Sequence, residues 1–103
     1  MSDRYAGKPF LKLLDCYVLD AIGHLDAQSD AALTAMEPQL HYIFGAKGKW
    51  RAIVTECMQF PEGMQGAIRD VWEKGRGKFA AANGHEPDPG EFTRIFVDSK
   101  FPH

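Results

Sequence analysis

The sequence PFLKLLDCYVLDAIGHL, residues 9–25, decides the fold class of this chain. Apolar residues recur in it at spacings of three and four, which is the period of one face of an α-helix. The residues on this face are Phe10, Leu13, Leu14, Tyr17, Val18, Ala21, Ile22 and Leu25. Pro9 suits a first helical turn, where the missing N–H removes no hydrogen bond. The pattern therefore predicts a helix from about residue 9 to residue 25.

A second group of non-polar residues lies opposite this face. Cys16, Leu19 and Gly23 are spaced at i, i+3 and i+7, where a surface helix should be polar. Two interpretations stay open at this point. Either this is a central helix that its own chain covers on both sides, or these three residues form an interface with another protein. A homodimer through them is the hypothesis that follows from the second interpretation.

Four further helices are predicted from the same period, at about residues 30–44, 48–59, 61–82 and 89–99. Pro38 lies inside the first of these, which is therefore kinked or split near that residue. No stretch alternates with the period of a strand for long enough to indicate a sheet. We therefore predict an all-α fold, a compact bundle of about five helices forming one domain over residues 1–103, with a flexible segment at 1–7.

Local signals add detail to these helices. Ser29 or Asp30 is expected to cap the second helix, and Asp88 the last one, by accepting a backbone N–H. The apolar face of the third helix is predicted to comprise Trp50, Ile53, Val54 and Cys57. The last helix carries several aromatic residues, and the sequence does not decide whether they pack on their own chain or on a neighbour.

Composition and charge exclude some classes of function. The formal net charge of −2 gives no general attraction for nucleic acid or for an anionic membrane, so neither is an expected partner. No apolar run approaches the ~20 residues of a membrane span. The start, MSDRYAGKPF, lacks the apolar segment of a secretory signal, and the two cysteines are far apart. We therefore expect reduced thiols and a cytoplasmic location.

Two runs of glycine with basic residues resemble phosphate-binding loops only superficially. The first, GAKGK at 45–49, follows a predicted helix instead of a strand, and its glycines are too close together. We interpret it as a turn between helices. Lys47, Lys49 and Arg51 nevertheless lie near the start of the third helix, whose dipole favours anions, and they are the candidate site for an anion or an acidic partner.

The second run, KGRGK at 74–78, lies inside the predicted fourth helix. Gly75 falls on the apolar face of that helix, with Trp72 and Phe79. Because glycine has no side chain, we predict that Gly75 lets a neighbouring helix approach closely.

No catalytic constellation is found. His24 and His41 are candidate metal ligands, and Cys16 and Asp20 could join His24. Helical geometry places Cys16 and His24 about 80° apart around the axis, which weakens a shared site. No hydrolase, zinc-protease, EF-hand or dinucleotide motif occurs in the sequence. We predict neither a catalytic residue nor a cofactor.

The sequence thus favours a small cytoplasmic helical protein that acts by binding, as an adaptor, a regulator or a partner subunit. One alternative is a ligand- or metal-binding protein, or a small enzyme, with a pocket edged by His24 and His41. The other alternative is weak binding of an anion or an acidic partner at the basic turn 45–51. A homodimer or an unknown protein is the expected partner.

Overall fold

A computed structural model describes residues 9–101 of the chain, and this part contains six helices. They are α1 (Pro9–Ala21), α2 (Ala27–Ala35), α3 (Glu37–Phe44), α4 (Trp50–Met58), α5 (Met64–Asn83) and α6 (Pro89–Lys100). No strand occurs in these residues, so the predicted all-α class is confirmed. The predicted flexible segment 1–7 lies outside the described residues.

Helix α1 lies at the centre of the fold. It contacts α4, α5 and α6, while α3 packs on α4 and α2 packs on α3. Its buried side chains lie all around the helix and are Leu11, Leu13, Leu14, Asp15, Cys16, Tyr17, Val18 and Ala21. Helix α1 is thus apolar on more than one side, and its own chain covers those sides. Helix α6 is part of that cover, so its aromatic residues pack in cis.

The predicted end of the first helix at residue 25 is wrong, because α1 stops at Ala21. Gly23 has a φ of +79°, a left-handed conformation that glycine adopts without steric cost. The Gly23 N–H donates to the Asp20 carbonyl at 3.1 Å, and the His24 N–H donates to the Leu19 carbonyl at 2.9 Å. These two bonds are the Schellman motif, which satisfies the last carbonyl groups of a helix.

The predicted second helix is split, not kinked. Helix α2 ends at Ala35 and α3 begins at Glu37, with Pro38 in the first turn of α3, where its missing N–H costs nothing. The predicted cap at Ser29 or Asp30 is wrong. Asp26 caps α2, because its carboxylate accepts the Ser29 N–H at 2.9 Å. At the other end of the chain, the predicted cap Asp88 of α6 is confirmed.

Helix α4 contributes several completely buried side chains to the core. Trp50, Ile53 and Val54 are fully buried there, whereas Cys57, predicted on the same face, is exposed. Helix α4 begins at Trp50, two residues later than predicted, and α5 begins at Met64 instead of residue 61. Within residues 9–101, no helix is both long enough and apolar enough to cross a lipid bilayer.

Candidate functional site

An apolar groove separates α5 from α6. Both helices pack on α1 more closely than on each other, and the space left between them has a volume of about 320 Å³. Trp72 from α5 forms its floor with Phe92 and Phe96 from α6, and these side chains are buried or half-buried. Phe79 and Ile95 form its walls and stay 38% and 58% exposed. We call this feature the α5–α6 groove.

Aromatic contacts hold the floor of the groove in place. The rings of Trp72 and Phe92 meet edge to face with centroids 4.9 Å apart, and those of Phe92 and Phe96 stack at 5.6 Å. Such pairs contribute roughly 0.5–1.5 kcal/mol each beyond the area they bury. The series continues through Phe101 to Phe60, with centroids 5.6 Å and then 5.1 Å apart. The floor is therefore continuous with the protein core.

Gly75 keeps the α5–α6 groove open. A Cβ atom placed on Gly75 would have no heavy atom within 4 Å, so no helix approaches this residue. The predicted role of Gly75 in close helix packing is wrong. A larger side chain at this position would extend into the groove that Gly75 lines.

Several charged side chains line the rim of the groove, and within residues 9–101 only some of them have an ion-pair partner. Arg76 binds Glu86 at 3.0 Å and Glu73 at 3.5 Å, and these carboxylates raise the pKa of Arg76. Glu91 and Lys100 also line the groove, in the first and the last turn of α6. Within residues 9–101, neither of them has a hydrogen-bond or ion-pair partner.

The three basic residues at 45–51 lie in two environments: the two lysines are exposed, and the arginine contacts other helices of the fold. Lys47 and Lys49 are exposed. The Arg51 guanidinium donates to both carboxylate oxygens of Asp20, at 2.8 and 3.1 Å, and lies 3.1 Å from an oxygen of Asp30. The charge of Arg51 is therefore matched inside the fold.

These bonds also shift the acidities of the two carboxyl groups. The hydrogen bond from Arg51 lowers the pKa of Asp20 below its ordinary value, and Gln65 adds a bond in the same direction. The hydrogen bond from the Trp50 indole, 3.0 Å long, lowers the pKa of Asp30, and Arg51 reinforces it. A favourable hydrogen bond to the charged form of an acid always acts in this direction.

The N-terminus of α4, where an anion was predicted, already holds a carboxylate of the same chain. The Trp50 N–H donates to Glu37 at 3.0 Å. His41 lies beside the same turn, with its Nε2 atom 2.6 Å from the Gly48 carbonyl oxygen. Binding of an anion at Lys47, Lys49 and Arg51 stays a prediction, and of these three only the two lysines lack a carboxylate partner within residues 9–101.

The three residues predicted as an interface do not form one exposed stripe. Cys16 is 7% exposed, and Leu19 is half-buried against the core. Gly23 is exposed but lies in the turn after α1. Burial raises the pKa of the Cys16 thiol to about 11, so this thiol is protonated at neutral pH. The homodimer through these residues stays a prediction, and neither Cys16 nor Leu19 presents an exposed apolar surface that would support it.

The two histidines predicted to edge a pocket contact different elements. The His24 ring meets the Trp72 ring of α5 edge to face at 5.6 Å, whereas His41 contacts the turn before α4. Neither lines the α5–α6 groove. In the described part of the chain, no group of three His, Cys, Asp or Glu side chains could hold a metal ion.

A small polar cavity of about 170 Å³ lies at the C-terminal end of α1. Gln65 and Arg69 of α5 line it, and both already have partners in α1: Gln65 donates to Asp20 at 2.9 Å, and Arg69 donates to the Ala21 carbonyl at 3.1 Å. A cation at this position also complements the negative end of the α1 dipole. We assign this cavity a structural role.

Comparison of the chain with protein-family models, with curated proteins and with solved structures gives no match.

The sequence pattern places Trp72, Gly75 and Phe79 on one face of a helix but does not predict the groove. The signal was the surplus of aromatic residues on α5 and α6 over what α1 alone can cover. The arrangement offers an apolar surface with a charged rim.

Proposed function

We propose that the protein acts by binding another protein, as an adaptor, a regulator or a partner subunit, and that the α5–α6 groove holds an amphipathic helix of that partner. The observation that supports this proposal is the groove itself, an open apolar channel whose walls, Phe79 and Ile95, remain in contact with water. Apolar grooves with a polar rim are typical of sites that bind amphipathic helices.

The dimensions of the groove suit about three turns of helix. It follows α6 from Asp88 to Lys100, a length of roughly 18 Å at ~1.5 Å per residue. A helix of that length presents apolar anchors at i, i+3 or i+4, and i+7. Small-molecule sites, by contrast, normally enclose 70–90% of their ligand, whereas this groove is open along one side.

The expected gain in free energy comes from two sources. Covering the exposed parts of Phe79 and Ile95 removes apolar surface from water, at about 25 cal/mol per Å². The aromatic floor is packed against the core before any partner binds, so little ordering is needed on this side of the complex.

A selection from a displayed library tests the proposal. The library consists of peptides about 15 residues long, with leucine at the anchor positions and all other positions random. We expect peptides that bind the wild-type protein and lose binding to Gly75→Leu, whose new side chain occupies the groove. The matched control is Gly77→Leu, because Gly77 lies on the same helix, has equal space and does not line the groove.

Both substitutions should leave the fold intact or raise its melting temperature, since leucine is a better helix former than glycine. Three results would overturn the proposal. One is the absence of any enriched peptide, and another is equal loss of binding in both glycine variants. The third is a concentration-dependent dimer, measured by light scattering, that Gly75→Leu abolishes; the occupant would then be a second copy of this chain.

A further inference from the structure

The charges around the α5–α6 groove indicate which helix it accepts. Arg76 on the α5 side is matched by Glu73 and Glu86, so it offers no free charge to a ligand. Glu91 and Lys100, at opposite ends of the α6 side, have no partner among residues 9–101. Asp88 adds a second carboxylate at the Glu91 end, where it caps α6 through the Gly90 N–H.

We infer that the occupant is an amphipathic helix with a basic residue toward the Glu91 end and an acidic residue toward the Lys100 end. This inference rests on the proposed function, because it concerns the partner of that same groove. Glu91 and Lys100 also complement the dipole of α6. That role is satisfied without any ligand, and it does not require either side chain to lie on the rim of an apolar channel.

The spacing of the two charges sets the spacing expected in the occupant. Glu91 and Lys100 are about 14 Å apart along the axis of α6, at ~1.5 Å per residue, and nine steps of ~100° place them on opposite edges of the α6 face that lines the groove. An occupant that crosses α6 obliquely matches this separation with residues seven to eleven positions apart on one of its faces, which span ~10–16 Å along its axis. The apolar anchors of the occupant lie between its two charged residues, over Phe92 and Phe96.

Rim charges of this kind select a partner more than they strengthen binding. An exposed ion pair adds little to affinity, but a like charge in the same place is repelled, so the affinities of right and wrong partners differ by more than either effect alone. Exposed pairs are also screened by salt, with a Debye length of about 10 Å at 0.1 M and 3 Å at 1 M. The preference should therefore disappear at high salt.

The same peptide selection tests this inference. We expect the enriched peptides to carry Lys or Arg near one end and Asp or Glu seven to eleven positions away. Glu91→Lys and Lys100→Glu should each weaken these peptides about threefold to tenfold at low salt and much less in ~1 M salt. The controls make the same charge changes away from the groove: Glu62→Lys and Arg94→Glu, both at exposed positions.

Failure of this inference differs from failure of the proposed function. Peptides that Gly75→Leu excludes but that show no charge preference, with unchanged affinity for Glu91→Lys and Lys100→Glu, would overturn the charge inference alone. Equal weakening by the rim substitutions and by their controls would also overturn it, because a general effect of net charge would then explain the result. A selection that yields no groove-dependent peptide would overturn both.

Discussion

Apolar side chains are buried to different extents in the helices on the two sides of α1. On one side the short helix α4 buries Trp50, Ile53 and Val54 completely. On the other side the much longer α5 buries only Ile68 and Trp72, and α6 leaves Ile95 in water. These α4 residues are thus completely packed, whereas the walls of the α5–α6 groove keep apolar surface in contact with water.

The α4 side also has ion pairs that join different helices. Beside α4, Arg51 joins Asp20 of α1 to Asp30 of α2, and the Trp50 indole donates to Asp30 as well. On the groove side, Glu91 and Lys100 are left unpaired within residues 9–101. Stability is therefore expected to depend on the α4 side, and recognition on the α5–α6 side.

The strongest way to break this comparison is to shorten one isoleucine on each side. Ile53→Ala should lower the free energy of unfolding by about 2–5 kcal/mol, because Ile53 is fully buried and its removal leaves a cavity. Ile95→Ala is the matched control at an exposed position and should change it by less than about 0.5 kcal/mol. Urea unfolding measures both, and equal losses would contradict the division.

Acid should weaken the α4 side through Asp20. Its pKa is lowered in the folded state, so its stabilising effect is complete above the ordinary value of 3.8 and is lost as the pH falls through the folded pKa. Asp20→Asn should cost about 1–2 kcal/mol at pH 7, and its difference from wild type should shrink below about pH 4. Asp70→Asn, which breaks an exposed pair with Lys74, is the control and should cost less than about 0.5 kcal/mol at pH 7.

The next prediction concerns the Thr93 hydroxyl of α6, the helix that packs on α1. This hydroxyl is buried and has no hydrogen-bond partner in the part of the chain described. Thr93→Val should raise the free energy of unfolding by about 1–2 kcal/mol, since an unsatisfied buried hydroxyl is removed at nearly constant volume. Thr55→Val should give no such gain, because the Thr55 hydroxyl donates to the Arg51 carbonyl at 3.1 Å. A loss of stability in Thr93→Val would show that the hydroxyl is satisfied.

The smallest expected effect concerns the end of α4. Gln59 has a φ of +56°, which strains any residue with a Cβ atom. Gln59→Gly should stabilise the protein by about 0.5–1 kcal/mol, even on the well-packed side. Gln28→Gly, inside α2, makes the same change in a helical residue and should destabilise by up to about 1 kcal/mol. Melting temperatures that move in the same direction for both variants would contradict this account.

Local signals made the fold class predictable. The apolar face of the first helix and the Asp88 cap depend on neighbours within one or two helical turns, and both are present in the structure, although α1 ends at Ala21 and not at residue 25. The end of α1 was predictable in principle, because Gly23 is a stop signal for a helix. It was missed because Leu25 continues the apolar period beyond the glycine.

Two features of the site depend on residues far apart in the chain. In the sequence Arg51 belongs to a basic turn, but its partners Asp20 and Asp30 precede it by 31 and 21 positions and meet it only in the folded protein. The groove depends on the angle at which α5 and α6 lie on α1, and the sequence period says which face is apolar without fixing that angle.

The central position of α1 has a consequence for how the chain is made. Ribosomes synthesise α1 before each of the helices that cover it, and α6 is complete only 79 residues after Ala21. At roughly 5–20 residues per second, the apolar sides of α1 wait about 4 to 16 s for their last cover. During that interval the side of α1 that α6 covers stays exposed, although α4 and α5 are made before α6.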